Sequence, residues 1–358
     1  MSLFGVVVPS IVLIGHYFIY FSIVRFFGVA NGWRRAVLAL VLFLLPASFV
    51  FARGADNSIS RALYFYSGLW VGVAVTLMTF FVIAWATWGA VKLITHSPSP
   101  AVFGWVAVAL AGVYSGYGVW NAYHPRVKEV VVRIRNLPPD WHGKKVVHLS
   151  DVHLGRILGV TFLRRIVEEI NAANPSVVLI TGDFVEGRDG SLEELVRPLD
   201  DITAPLGIYC VTGNHDRGLA AVKETRARIL RNEMAVVNGL QIIGVSYAGR
   251  GVPENLGELI ARLPGYNPQI PSVLLHHSPT QVEQAKAAGI SLQLSGHTHK
   301  GQIFPVQFIS WMMYGKYYNG LHIEGDCAIY TSSGAGTWGP TMRTGNHPEI
   351  AVIRLEPM

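Results

Sequence analysis

Apolar residues follow two rhythms along this chain, and the change near His124 divides it. Before His124 lie four long apolar runs: Phe4–Val24, Ala36–Ala52, Leu63–Leu93 and Val102–Tyr123. A helix needs roughly 20 residues to cross a bilayer, so each run is a candidate span. Pro46 interrupts the second, and the third exceeds a bare crossing, which predicts a tilted or protruding helix. His16, near the middle of the first run, reads either as a functional group or as a neutral ring bonded to a neighbouring helix.

After His124 short β-rich runs alternate with amphipathic helices. Strands are predicted at Lys128–Arg135, Lys144–Leu149, Val177–Ile180, Ile208–Val211, Ala235–Val237 and Gln241–Val245, then at Val273–Leu275, Leu292–Leu294, Leu321–Ile323, Ala328–Thr331 and Ile350–Leu355. Helices are predicted at Phe162–Ala172, Ser191–Asp201, Leu219–Asn232, Asn255–Arg262 and Gln281–Ala288. Such alternation implies layered helices and sheets in one α/β domain. The expected organisation is a four-helix transmembrane domain at 1–124 and an α/β domain at 125–358.

Charge sharpens the division. The first 124 residues hold Arg25, Arg34, Arg35, Arg53, Arg61 and Lys92 against Asp56 alone, for a net of +5. The remainder holds 23 basic and 22 acidic residues, so the whole-chain charge of +6 does not come from a basic face on the polar half. No electrostatic footprint for nucleic acid is present. Loops carrying Arg25, Arg34, Arg35 and Lys92 outweigh the loop carrying Arg53 and Arg61. That bias predicts a cell-membrane protein with its polar half on the extracytoplasmic side. Cys210 and Cys327 are too few for a disulfide framework and read as small buried apolar groups.

The candidate chemistry falls just past strand ends, in five pieces: Asp151-Val152-His153, Gly182-Asp183, Gly213-Asn214-His215-Asp216, His276-His277-Ser278-Pro279 and Gly296-His297-Thr298-His299. Loops at this edge of an α/β sheet bring distant residues together. Imidazole, carboxylate and amide oxygen without thiolate suit borderline or hard divalent ions. In Asp-x-His, residues two apart on an extended chain point to one side. The glycines ahead of Asp183, Asn214 and His297 read as tight-turn residues.

These pieces, in this order, resemble the signature of the calcineurin-like metallophosphoesterases. Ser150–Gly155, Gly296–Gln302, Lys316–Gly320 and Pro348–Ile350 are similar to its membrane-associated branch, related to exported phosphoesterases and UDP-diacylglucosamine pyrophosphohydrolases. The resemblance implies a four-layer αββα sandwich of two mixed sheets, covering about 127–358. It implies two divalent metals, Mn, Fe or Zn. Asp151, His153 and His299 would hold the first, Asn214, His277 and His297 the second, and Asp183 would bridge both. His277 stands in the family's His-x-Pro position, and His276 is expected to face the opposite side of its strand.

By the same resemblance His215 is the catalytic histidine, steadying the phosphoryl group and protonating the leaving oxygen. Asp216 would orient His215 or bind backbone N–H groups before Leu219. Lys300 and Arg343 are weaker substrate-phosphate candidates, with Arg156 and Arg217 weaker still. The implied activity is metal-dependent hydrolysis of a phosphodiester or pyrophosphate, by hydroxide attack, in a lipid or glycolipid delivered by the bilayer. Two alternatives are a UDP-diacylglucosamine-type pyrophosphohydrolase on the cytoplasmic face and a non-catalytic sensor of a phosphate ligand. The apolar stretch Phe308–Tyr314 suits either a lipid contact or a covered loop or short helix.

Overall fold

The structure, a computed structural model, describes residues 3–51, 57–95, 98–186, 192–216, 219–248 and 254–358. Ala52, Arg53, Ser191 and Arg217 lie outside the described residues. The chain forms two compact units, one made of residues 1–121, 303–305 and 339–344 and the other of the rest.

The helical unit contains α1 (Leu3–Phe26), α2 (Gly32–Phe51), α3 (Ser58–Ile94) and most of α4 (Pro100–Ala122). Its outer surface is apolar, around a core that includes Ile19, Phe26 and Phe81. Ile11, Ile14, Trp33, Leu40, Leu44, Trp105 and Val113 are exposed, whereas Ser22, Ser67, Thr76 and Ser115 are buried. The buried polar groups find partners: the Trp85 indole N–H donates to Ser22 Oγ, and the Thr76 and Ser115 hydroxyls bond at 2.8 Å. His16 resolves the same way. Its Nδ1 lies 2.7 Å from the Val12 carbonyl and its Nε2 accepts from the Trp70 indole, so one tautomer satisfies both nitrogens. Among the described residues α3 and α4 are long and apolar enough to cross a membrane, with mean hydropathies of 2.1 and 1.5. Within α1, Ser10–Phe26 counts as a shorter apolar helix, and Pro46 lies inside α2.

Among the described residues of the α/β unit, twelve strands form two six-stranded mixed sheets. The first is built from β1 (Arg126–Ile134), β2 (Lys145–Leu149), β3 (Val177–Ile180), β4 (Ile208–Cys210), β5 (Ala227–Ile229) and β12 (Glu349–Pro357), in the order β1-β12-β2-β3-β4-β5. The second is built from β6 (Glu233–Val237), β7 (Leu240–Val245), β8 (Ser272–His276), β9 (Leu292–Ser295), β10 (Gly320–Glu324) and β11 (Cys327–Thr331), in the order β10-β11-β9-β8-β7-β6. Neighbours β2, β3 and β4 are parallel, as are β8 and β9. These five strands deliver the chemistry.

Side-chain alternation explains the layering. Val146, Val177 and Leu179 pack with Val273, Leu275, Leu292 and Leu294 between the sheets. Their sequence neighbours Val147, Val178 and Ile180 face outward onto α5 (Val160–Ala172), where Leu163, Ile166 and Ile170 form a buried stripe. On the opposite face Ile243, Val245 and Leu274 are covered by α7 (Leu256–Ala261) and by Ala285 of α8 (Val282–Ala287). The order is helix, sheet, sheet, helix, as expected. Asn255 caps α7 by accepting from the Gly257 and Glu258 amides. Ile166 is wholly buried in this stripe. Ile166→Ala should therefore cost about 2–5 kcal/mol, seen as a lower thermal midpoint of the full chain in detergent.

One expected helix is replaced. Residues 219–232 form a 3-10 segment, Leu219–Glu224, followed by β5. Thr225 ends the helical turn through its bond to the Val222 carbonyl, and the Arg226 amide turns to the Asp200 carboxylate. Parallel pairing with the edge of β4 then satisfies the backbone better than helix propensity would. Leu192–Val196 (α6) is a short α-helix continued by a 3-10 turn to Asp201, and the apolar stretch ending at Tyr314 forms a short helix, α9 (Gln307–Tyr314). Cys210 and Cys327 are free and buried.

Candidate active site

Loops leaving the C-terminal ends of β2, β3, β4, β8 and β9 bring the candidate ligands together. The local backbone differs from the extended chain expected for Asp-x-His. Asp151, His153, Asp183, His297 and His299 all have φ between 48° and 69°. Left-handed residues cost about 1–2 kcal/mol each, so neighbouring bonds must hold them. The Asp151, His153 and Leu154 amides donate to the Gly182, Asp183 and Phe184 carbonyls, pairing one loop with the next beyond the sheet. Asp151 in turn accepts from the His297 amide, at 3.0 Å for its nearer oxygen, and from Ser150 Oγ at 2.6 Å.

Two groups result. In one, ligand atoms of Asp151, His153 and His299 lie within 4.8 Å of one another, and in the other so do those of Asp183, His277 and His297. His153 Nε2 is 3.1 Å from His299 Nε2, and His299 Nε2 is 3.5 Å from Asp151. His277 Nε2 is 3.0 Å from Asn214 Oδ1 and 3.1 Å from His297 Nδ1. Asp183 Oδ2 links the groups, at 3.7 Å from His153 Nε2 and 3.4 Å from His277 Nε2. His276, next to His277, is not among these ligand atoms. Burial pushes its ring down to about 4.

The donor set fits divalent cations. His277 Nδ1 lies 2.7 Å from the Thr181 carbonyl, so its proton belongs there and the Nε2 lone pair faces Asn214 and Asp183. Lone pairs converging in a buried site repel unless a cation lies among them. Without a metal, protons fill that role. Burial lowers the His277 ring, but Asp183, Asp151 and the Thr181 carbonyl outweigh it and raise it to about 9. Burial would push the Asp183 carboxyl up, yet His277, His153 and His215 hold it well below the usual carboxylate range. Burial instead raises Asp151. His297 is pushed down to about 3, by burial and then by His277.

His215 sits at the edge of the cluster. Its ring lies 5.3 Å from the His153 ring and 5.7 Å from Trp338, and its amide donates to Asp183 Oδ1 at 2.7 Å. Burial lowers its pKa, partly offset by Asp183. Asp216 serves the backbone. Oδ2 accepts from the Asp183 and Gly213 amides and Oδ1 from Phe184 and Val185, at 2.7–3.0 Å. Those amides belong to the loops that carry the candidate ligands, not to the segment beginning at Leu219. Lys300 follows His299 with φ of 48°, its carbonyl and that of His299 bound by Asn346 Nδ2. Arg343 is wholly buried in the helical unit, where its amide donates to the Gly118 carbonyl and its own carbonyl accepts from Asn121.

A family model for the calcineurin-like phosphoesterases matches residues 144–301. The chain is 31% identical over 303 residues to a bovine (Bos taurus) transmembrane protein with metallophosphoesterase domain, covering 76% of this chain and 67% of that one. It is 32% identical over 277 residues to a zebrafish (Danio rerio) protein of the same description, covering 70% and 62% respectively. An uncharacterized metallophosphoesterase of Helicobacter pylori (strain J99 / ATCC 700824) is 33% identical over 252 residues, covering 66% and 67%. The chain belongs to the calcineurin-like metallophosphoesterases. It spans about two-thirds of the length of these relatives.

Two glycines of this metallophosphoesterase serve close approach rather than turning. A Cβ on Gly213 would fall on Oδ1 of Asp183, and one on Gly296 would strike Ser150 Oγ and Asp151 Oδ2. Gly182, by contrast, has φ of 92° and does turn the chain. Several neighbours of the site carried no signal in the sequence. Tyr314 meets the His297 ring edge-on at 5.9 Å, Tyr247 lies 6.0 Å from the His277 ring, and Glu186 Oε2 is 3.7 Å from His153 Nδ1. Aromatics and one acid in loops resemble ordinary packing and surface residues until the fold collects them.

Proposed function

We propose that this chain is a membrane-anchored, metal-dependent phosphoric ester hydrolase acting on a phosphodiester or pyrophosphate, in a lipid or glycolipid. The observation that carries the reading is the pair of buried donor groups joined by Asp183. In this reading Asp151, His153 and His299 hold one divalent ion, Asn214, His277 and His297 the other, and Asp183 serves both. Bound ions supply Lewis acidity at the phosphoryl oxygens and ionise the attacking water at neutral pH.

The protein's own residues do the rest. His215 offers a ring nitrogen at the cluster's edge for the phosphoryl or leaving oxygen. Asp216 fixes the Gly182–Val185 loop through its amides, which keeps the Asp183 carboxylate aimed between the two groups. Trp338 packs beside His215 and limits its motion. The anchor is supported by the outward apolar faces of the helices and by the lengths of α3 and α4. Tethering raises the effective concentration of the site against lipid phosphates.

The test uses the full chain in detergent with bis(p-nitrophenyl) phosphate. Hydrolysis should require Mn²⁺, Fe²⁺ or Zn²⁺ and stop with a chelator. Turnover that persists unchanged in excess chelator, or its absence with every one of these ions, overturns the reading. We also propose an extracytoplasmic site, from the helix-end cations Arg25, Arg34, Arg35 and Lys92. Protease added outside intact cells should then remove the α/β unit. Protection of that unit until the membrane is broken would place it on the other face, where a UDP-linked glycolipid becomes the better substrate.

A further inference from the structure

Helix α9 breaks the rule followed by α5, α7 and α8, each of which buries an apolar stripe. Its sequence, Gln-Phe-Ile-Ser-Trp-Met-Met-Tyr, contains no charge, and none of its residues is buried. Phe308, Ile309, Trp311, Met312 and Met313 are 50% to 68% exposed. At about 100° per residue, these five side chains sweep an arc of about 200° around the axis. Ser310 and Tyr314 occupy the remaining side. That side is the attached one: Ser310 Oγ donates to the Thr298 carbonyl at 3.5 Å, and Tyr314 lies edge-on to His297.

A groove on a partner protein takes a stripe of about 100°, with polar residues beyond it. An apolar arc twice as wide, rich in Trp, Met and Phe, suits immersion in a fluid apolar phase instead. Chain continuity points to the same phase. Ile303–Pro305 belongs to the helical unit that contains α3, and only Val306 separates Pro305 from Gln307. We infer that α9 lies in the interfacial layer of the lipid bilayer, its apolar arc among the acyl chains near the headgroups. Its opposite side holds the Gly-His-Thr-His loop. The metal-ligating cluster is thereby presented at the depth of lipid phosphates. This inference rests on the membrane-anchored reading of the chain and adds the surface on which the site works.

The experiment places a cysteine at Met312→Cys in the full chain, labels it with the polarity-sensitive fluorophore NBD, and reconstitutes the protein in phosphatidylcholine–phosphatidylglycerol nanodiscs. Asp326→Cys, in the turn between β10 and β11, is the control, and labelled parent chain corrects for Cys210 and Cys327. Emission at position 312 should be blue-shifted, and lipids with a spin label near the headgroup should quench it at least threefold more than at 326. Equal quenching at both positions overturns the inference. So does a blue shift at 312 that lipid quenchers leave unchanged, because a second copy or another protein then covers α9. Hydrolysis of bis(p-nitrophenyl) phosphate by the same samples separates the two readings. Quenching without hydrolysis removes the enzymatic reading and leaves the docking, and hydrolysis without quenching removes the docking alone.

Discussion

Replacing Asp183 by asparagine is expected to abolish phosphodiester hydrolysis, by about 1,000-fold or more, and to reduce bound metal below two ions per chain. The reasoning is electrostatic. Two dications about 4 Å apart repel by about 16 kcal/mol at an effective dielectric of about 20. A carboxylate whose Oδ2 lies between the two groups offsets part of that repulsion, and an amide offers only a neutral oxygen. Asp183 already faces His153 and His277 and anchors the His215 amide. Metal content by mass spectrometry and turnover in detergent check the result. A variant with two ions and parental turnover would remove Asp183 from the centre of the site.

The second large effect is expected at Asp216, and it separates two roles. Its carboxylate accepts four backbone amides. Asp216→Asn keeps one acceptor oxygen and turns an NH₂ group toward two of those amides. Each buried unpaired amide costs about 1–3 kcal/mol, so the variant should lose about 2–6 kcal/mol of stability. Because two of the amides flank Asp183, the loop should shift and metal content should fall with the thermal midpoint. His215→Ala should lower turnover while leaving both nearly unchanged. If Asp216 acted by orienting His215, Asp216→Asn would resemble His215→Ala, with normal metal content and no further loss in the double variant. Metal content is the measurement that decides between them.

The candidate donor residues were legible because their side-chain chemistry and motif spacing survive without coordinates. Asp151, His153, Asp183, Asn214, His277, His297 and His299 could be named from five short strings, and their grouping from the family resemblance. The continuous apolar run Val177–Ile180 likewise read as a strand covered on both faces. What stayed hidden was the atomic means. The Asp-x-His pair converges through left-handed backbone and loop-to-loop hydrogen bonds, not through strand alternation. Gly213 and Gly296 make room for carboxylate oxygens, a reason that depends on residues distant in sequence. Residues 227–229 read as helix because Ala and Arg favour it locally, while the edge of β4 decides otherwise.

The helical unit also recruits two pieces of late sequence, 303–305 and 339–344. Within it Phe304 donates to Thr344 Oγ1, Tyr114 donates to the Thr344 carbonyl, and Asn121 holds the carbonyl of the buried Arg343. Deleting the first 121 residues would remove Tyr114, Gly118 and Asn121, the partners of the Thr344 carbonyl and of the Arg343 backbone. A shortened soluble version should accordingly aggregate, and grafting an unrelated anchor in place of the native helices should not rescue it. The helical unit is thus closed by residues from far along the sequence, and no single cut in the chain removes it whole.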